Sequence, residues 1–236
     1  MAATGYHQDY ASNDTFTARP LTIYGTNHLA LNYDNGGSGT ESSPYHAIDN
    51  NSGYDLVVFQ FAAPVTLSQI SMGYVNSDSD FSLFAFNPVA PGSAPTAGAP
   101  PGSDAFSLSN MLTKGWDLIG SFDYDALAVN GKLNLETITA GAPNSGAGKN
   151  ILNYASSYWA VIAVYDGIAN TGAKYGSDVK SSSGSTTGND RFKIASIAGC
   201  YDEPNHPPGV PEPASLALML VGMVGMGSTI RRRAQR

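Results

Sequence analysis

Five oxygen-bearing side chains lie beside two strand-like stretches: Asp49, Asn50, Asp55, Asp78 and Asp80. Carboxylate and amide oxygens are the ligands that Ca²⁺ prefers, about six to eight at a time, and weak sites of this kind occur in extracellular modules. These residues therefore predict a structural calcium site. The alternative is a purely local role, with Asp49 and Asn50 in an Asx turn and Asp78 and Asp80 at a hairpin end.

A second group of side chains has the chemistry of sugar recognition. Tyr45, Tyr54 and Trp116 are candidates for an aromatic platform that stacks against a glycan. The stretch His46–Asn50, directly before a predicted strand, resembles the opening of discoidin-like, galactose-binding jelly rolls, and this resemblance implies sugar binding by loops. The alternative is that the rings belong to the core, where most large aromatic side chains lie.

Catalytic chemistry has little support in the sequence. The nucleophile-elbow, zinc-protease and phosphate-loop motifs are all absent. A Cys/His nucleophile built from Cys200 has no local motif in its favour, and because Cys200 is the single cysteine, an intrachain disulfide is excluded. The pairs Asp123/Asp125 and Asp78/Asp80 have the residue types of a glycosidase acid and base, but aspartates two apart are common in turns. We therefore predict that the protein is not an enzyme and has no cofactor besides the candidate calcium ion.

The candidate side chains need strands to position them, and the clearest strand covers Asp55–Phe61. Its apolar residues alternate onto one face, as in a half-buried strand. We expect Ala62–Pro64 to turn the chain and a second strand to cover Val65–Tyr74. The apolar phase of this second strand slips at Ser68–Gln69, which predicts a β-bulge there.

Further strand-like stretches recur along the chain, separated by turns rich in glycine, asparagine and serine. The stretch Phe81–Phe86 is apolar on both faces, so we predict a buried central strand there. A short helix is predicted over Asp104–Leu112. The other predicted strands are Leu21–Tyr24, His28–Tyr33, Trp116–Tyr124, Lys132–Ile138, Tyr158–Tyr165 and Arg191–Ile197. The pattern predicts an all-β, jelly-roll-like β-sandwich of about eight or nine strands.

The charge of the chain limits its partners. The net charge is −7, and the last 27 residues carry four arginines and one glutamate, so residues 1–209 carry −10. Nucleic-acid binding requires a basic surface, so we expect no nucleic-acid partner.

The C-terminal segment has three ordered parts. Pro211, Glu212 and Pro213 come first, and the prolines exclude a helix through this point. An apolar stretch follows from Ala214 to Ile230, about 25 Å long as a helix at roughly 1.5 Å per residue. Arg231, Arg232 and Arg233 then provide a basic membrane stop. The order predicts a transmembrane helix with everything before it outside the cytoplasm.

This three-part segment resembles the PEP-CTERM sorting signal of bacterial surface proteins. The resemblance implies an exosortase as partner, a transient stay in the inner membrane, and delivery to the surface or extracellular matrix of a Gram-negative-type bacterium. Residues 1–30 contain no secretory signal. We therefore expect either that this signal has been removed or that the true start lies upstream.

Residues 27–199 resemble a family of exosortase-dependent surface proteins, with Tyr45 where an asparagine is expected. The stretches that carry this resemblance are Ser43–Asn50, Tyr54–Phe59, Asp78–Asp80, Gly115–Gly120, Ser157–Trp159 and Arg191–Ile194. The family implies no activity, so two hypotheses remain: a structural or adhesive surface protein, and a carbohydrate-binding module for exopolysaccharide. The predicted organisation is a flexible arm over 1–20, a sandwich over 21–200, a proline-rich spacer over 201–209 and the sorting signal over 210–236.

Overall fold

A computed structural model describes most of the chain before residue 202. The described residues are 1–9, 16–24, 28–31, 47–50, 53–75, 78–87, 108–164, 172–176, 179 and 190–201. The chain divides into two compact units, 1–202 and 203–236, and the second unit lies outside the described residues. The predicted sorting helix and proline-rich spacer therefore stay predictions. Within the described part of the chain, none of the helices has the length and apolar character needed to span a membrane.

The described residues are mostly β-strand, which confirms the all-β class. The strands are β1 Ala2–Asp9, β2 Thr17–Arg19, β3 Leu21–Tyr24, β4 His28–Leu31, β5 Ile48–Asp49, β6 Gly53–Val75, β7 Phe81–Phe86, β8 Trp116–Phe122, β9 Lys132–Asn134, β10 Ser156–Ala163, β11 Lys174–Tyr175 and β12 Arg191–Cys200. The helices are α1 Tyr124–Leu127, α2 Leu135–Ala140 and two 3₁₀ segments, Leu108–Lys114 and Ile151–Asn153. The predicted number of strands, eight or nine, is too low for the described residues. Several of the observed strands span only two to four residues and are therefore difficult to recognise in the sequence.

Strand β6 connects the two halves of the structure. Its first half pairs with β1 on one edge and with β10 on the other. From Thr66 onward it pairs instead with β12, and near Ile70 with β9. The neighbours in the mixed sheet follow the order β11-β8-β7-β10-β6-β12-β4-β3. Among the described pairs of named strands, only β11 and β8 run parallel.

Residues from both halves of β6 form the main core. This cluster joins Val57 and Phe59 from the first half to Leu67 and Ile70 from the second. The completely buried Trp159 of β10 also belongs to it. A second apolar cluster contains Leu56 and Val58, the alternate residues of β6, so both faces of this strand are buried there. A strand buried on both faces provides a rigid frame for the loops at its end.

Three sequence predictions require correction. The predicted flexible arm is wrong for residues 2–9, because β1 pairs with β6 over eight residues and buries Tyr6. The predicted turn at Ala62–Pro64 does not reverse the chain, since β6 runs through it and only changes partners. The strand predicted over Lys132–Ile138 ends at Asn134, whose side chain accepts a hydrogen bond from the Thr137 amide and caps α2.

Other predictions of elements are confirmed. Phe81–Phe86 is a central strand, β7, with five of its six residues buried. The predicted bulge is present, because Ala198 pairs with Gln69 and Gly199 with Leu67, which leaves Ser68 as the extra residue. The jelly-roll topology itself stays a prediction.

Candidate metal centre

Three aspartates converge at one end of the described domain. One carboxylate oxygen from each of Asp78, Asp80 and Asp190 lies within 4.8 Å of the others. Asp80 and Asp190 are completely buried, and Asp78 is partly buried. We call this group the acidic cluster. It contains two of the five residues that the sequence predicts as calcium ligands.

Backbone pairing at the ends of β7 and β12 holds the acidic cluster together. Asp78 and Asp190 form an isolated parallel bridge, and the Arg191 amide donates to the Asp78 carbonyl at 2.9 Å. The Asp80 amide donates to Oδ1 of Asp190 at 3.0 Å, and the Val164 amide donates to the Asp80 carbonyl at 3.2 Å. Strand pairing therefore forces the carboxylates close together, whatever repulsion they exert on one another.

Asn50 connects the loop before β6 to the acidic cluster. Its Nδ2 donates to Oδ2 of Asp190 at 2.5 Å and to the Val164 carbonyl at 3.1 Å. The Asp190 amide donates back to Oδ1 of Asn50 at 3.0 Å. This predicted calcium ligand is thus in contact with the acidic cluster, through Asp190.

Electrostatics in the acidic cluster oppose the ionisation of Asp190. Burial raises the pKa of Asp190 to about 9, with the charges of Asp80 and Asp78 adding to the effect and the hydrogen bonds from Asp80 and Asn50 opposing it. At neutral pH this carboxyl holds a proton. A bound cation would take over the role of the proton, because it neutralises the crowded charges directly.

The other two predicted ligands, Asp49 and Asp55, belong to a separate buried network. Asp55 accepts a hydrogen bond from Nδ1 of His7 at 2.7 Å, and its second oxygen accepts from the Asp49 amide at 3.2 Å. Oδ2 of Asp49 lies 3.6 Å from Nε of Arg191. Burial raises the pKa of Asp55, while the interactions with His7 and the Asp49 amide lower it. These two aspartates are thus committed to a clasp between β1, β5, β6 and β12.

The carboxylate pair Asp123 and Asp125 has structural partners. Oδ1 of Asp123 accepts from the Ala126 amide at 2.9 Å and caps α1. Oδ1 of Asp125 accepts from the Ser79 hydroxyl at 2.5 Å, which ties α1 to the loop of the acidic cluster. Their positions correspond to the turn role that was the alternative to catalysis.

The aromatic residues predicted to bind a glycan do not form an exposed platform. Trp116 is only 2% exposed and packs in the second core cluster, with its ring centroid 5.2 Å from that of Phe86. A buried ring has no free face for a sugar, so Trp116 is a core residue and this prediction is corrected. Tyr54 is half-buried against the same cluster, and Tyr45 lies outside the described residues.

Sequence reasoning missed Asp190. It follows a serine- and glycine-rich stretch and lies 110 residues from Asp80, so spacing did not connect the two. The available signal was its position directly before the predicted strand at Arg191, as Asp80 directly precedes Phe81. Two aspartates at the starts of two buried strands can meet at one end of a sheet.

Comparison with known proteins identifies the C-terminal segment. Residues 209–233 match the family model of the PEP-CTERM protein-sorting motif. This motif indicates a protein that is exported and sorted by an exosortase to the outside of the cell. No curated protein and no solved structure matches the chain. The resemblance of residues 27–199 to exosortase-dependent surface proteins therefore stays a prediction.

Proposed function

We propose that this protein is a structural or adhesive component of the bacterial cell surface or of the biofilm matrix. The observation that carries the proposal is the sorting motif at residues 209–233, which follows directly on a folded β-domain. The proposal is supported by the contacts of the candidate carboxylate pair, since Asp123 accepts a hydrogen bond from the Ala126 amide and Asp125 accepts one from the Ser79 hydroxyl. A rigid exported module of this kind suits display or scaffolding.

The route to the surface follows from the order of the C-terminal parts. The apolar stretch Ala214–Ile230 halts in the inner membrane, and the arginines after it stay on the cytoplasmic side. The exosortase then acts at the motif around Pro211–Pro213. Processing releases the domain to the cell surface or the extracellular matrix.

A calcium ion in the acidic cluster is part of the proposal, with a structural role. Asp78, Asp80 and Asp190 offer carboxylate oxygens. The carbonyl of Val164 is connected to them by Asn50, whose Nδ2 donates both to this carbonyl and to Asp190. A donor set made only of oxygen favours a hard cation over zinc or copper. The ion would connect the starts of β7 and β12 with the loop before β6.

Specific recognition of exopolysaccharide is the weaker alternative. The burial of Trp116 removes the largest ring of the predicted platform, which leaves Tyr45 and Tyr54 as its candidates. Under our proposal the protein lies among exopolysaccharide in the matrix without a dedicated sugar pocket. Binding of the purified chain to one polysaccharide out of a panel, lost on Tyr54→Ala, would favour the alternative.

The decisive experiment follows the protein in a bacterium that has an exosortase. We expect the full chain, provided with a secretory signal, to reach the surface, and a chain that ends at Gly209 to be released without surface retention. Glu212→Ala, which leaves the apolar stretch and the arginines intact, is the matched variant for the motif. Equal surface display of all three chains would contradict the proposal. Deleting the exosortase should have the same effect as Glu212→Ala.

A further inference from the structure

An exposed turn between α1 and β9 contains two residues that can react with each other, Asn130 and Gly131. An asparagine that precedes a glycine is prone to deamidation, because the glycine has no side chain to shield its own backbone nitrogen. The nitrogen of Gly131 attacks Cγ of Asn130, ammonia leaves, and a five-membered succinimide remains. Water then opens this ring to aspartate or isoaspartate, so the only other reactant is water.

The turn is a two-residue β-hairpin loop. The Val129 amide donates to the Lys132 carbonyl at 2.9 Å, and the Lys132 amide donates to the Val129 carbonyl at 3.1 Å. Both residues between them have a positive φ, 54° for Asn130 and 69° for Gly131. A positive φ at both loop positions is the mark of a type I′ turn, for which asparagine followed by glycine is a preferred sequence.

The type I′ turn keeps the two reacting atoms apart. In such a turn ψ of the first central residue is about +30°, the mirror image of the type I value. At this angle the nitrogen of Gly131 lies nearly opposite Cβ of Asn130 across the Cα–C bond. Succinimide formation requires both to lie on the same side, which demands a rotation about this bond. The rotation breaks the hydrogen bonds between Val129 and Lys132, so the closed hairpin prevents the reaction.

A buried tyrosine fastens the turn to the core. The Tyr124 hydroxyl donates to the Gly131 carbonyl at 2.5 Å and accepts a hydrogen bond from the Met72 amide of β6 at 2.8 Å. Tyr124 is only 4% exposed and belongs to the main core. Opening of the hairpin therefore also separates the Tyr124 hydroxyl from its acceptor, which adds to the free energy that the opening costs.

We infer that Asn130 is a deamidation site that the folded hairpin keeps closed, and that its modification after opening is irreversible. Isoaspartate adds one carbon to the backbone, and a two-residue loop cannot take up this carbon and keep its register. The strand after the loop, β9, pairs Leu133 with Ile70 of β6, and Leu133 is completely buried. A modified chain therefore loses the docking of β9. The inference goes beyond the proposed function and does not depend on it.

Mass spectrometry of peptides from the full chain in detergent tests the inference directly. The chain is incubated in mildly alkaline buffer with and without urea, and the deamidated fraction at Asn130 is followed over time. In urea, Asn130 and the other asparagine that precedes a glycine, Asn35, should react at similar rates. Without urea, we expect deamidation at Asn130 to be at least about tenfold slower than in urea, because it requires local opening. Equal rates at Asn130 in the two conditions would overturn the inference.

Two matched variants separate the hairpin from the stability of the whole domain. Tyr124→Phe removes the hydroxyl that holds the Gly131 carbonyl and should accelerate deamidation at Asn130 without urea. Tyr175→Phe removes the hydroxyl of another core tyrosine, which is 3% exposed, and should leave the rate unchanged. The same acceleration in both variants would show that Asn130 reports only on the stability of the domain, which would contradict the proposed role of the hairpin.

The modified chain provides the test of irreversibility. Deamidation adds one negative charge, so the modified chain can be separated from the unmodified chain by ion exchange. We expect the isoaspartate form to have a lower urea midpoint and to lose hydrogen-exchange protection of the Leu133 amide. An unchanged urea midpoint together with unchanged protection would overturn this part of the inference.

Discussion

At the scale of single residues, the acidic end of the domain combines two different solutions to buried charge. The acidic cluster crowds three carboxylates and raises the pKa of Asp190. The neighbouring network pairs Asp55 with His7 and Asp49 with Arg191. Asp49 and Asn50 are adjacent in sequence, as are Asp190 and Arg191, so one residue of each pair belongs to each network. The cluster is the part that gains from a cation.

The first prediction concerns the response of Asp190 to pH and calcium. Its folded-state pKa of about 9 exceeds the unfolded value of 3.8, so folding retains a proton between these pH values. This stabilisation is fully present below the unfolded pKa and is lost as the pH rises through the folded one. In EDTA the free energy of unfolding should therefore fall as the pH rises from 5 to 8, by at most about 1.4 kcal/mol per pH unit from this group, and the melting temperature should fall with it.

Calcium should reverse this loss, because the ion competes with the proton. At a concentration 100 times its Kd it adds about 2.7 kcal/mol, with a larger effect at pH 8 than at pH 5. Asp190→Asn should flatten the pH dependence in EDTA and remove the calcium effect, whereas Asp125→Asn beside the cluster should keep both. An equal calcium shift in the wild type and in Asp190→Asn would place the ion elsewhere.

The second prediction concerns the clasp between His7 and Asp55. Asp55→Ala leaves the His7 ring buried without its carboxylate, so we expect a loss of about 3 to 5 kcal/mol in the free energy of unfolding. Asp117→Ala removes the much more exposed partner of Lys149 and should cost about 0 to 1 kcal/mol. Urea unfolding of both variants provides the comparison. Similar losses would show that the buried network contributes no more than a surface pair.

At the scale of elements, the sequence predicts those strands in which packing imposes a clear alternation of apolar and polar residues. Val57 and Phe59 marked the core face of β6, and the phase slip located the bulge at Ser68. Long-range pairing is not visible in the sequence, so the polar residues of β1 predict a loose arm, whereas the structure pairs this strand with β6. Asn50 and Asp80 were found because polar residues at strand ends are visible locally. Asp190 was missed because its neighbours come from distant parts of the chain.

The third prediction tests the place of β1 in the fold. Tyr6 is 8% exposed and packs in the second core cluster, so Tyr6→Ala should lower the free energy of unfolding by about 3 kcal/mol. Val129→Ala, at a residue that is 71% exposed, should change it by less than about 0.5 kcal/mol. Denaturant titration measures both. A loose arm would instead give two equally small effects.

At the scale of the whole molecule, the chain joins a folded domain to a sorting address. The last described strand, β12, pairs with β4, β5 and β6, so the domain is completed only when its final residues have been placed. The sorting motif begins eight residues after Tyr201. A domain that closes with its C-terminal strand cannot finish folding before that strand has been exported.

The fourth prediction follows from this arrangement. A chain that ends at Gly209 keeps the whole first unit, so it should have the same urea midpoint as the full chain in detergent. The free energies of unfolding of the two chains should agree within about 0.5 kcal/mol. A chain that ends at residue 189 lacks β12 and loses eight register pairs with β6, so we expect it not to fold. Circular dichroism and urea titration distinguish these outcomes. A cooperative transition in the shorter chain would show that β12 is dispensable, and a lower midpoint in the chain ending at Gly209 would show that the sorting segment also stabilises the domain.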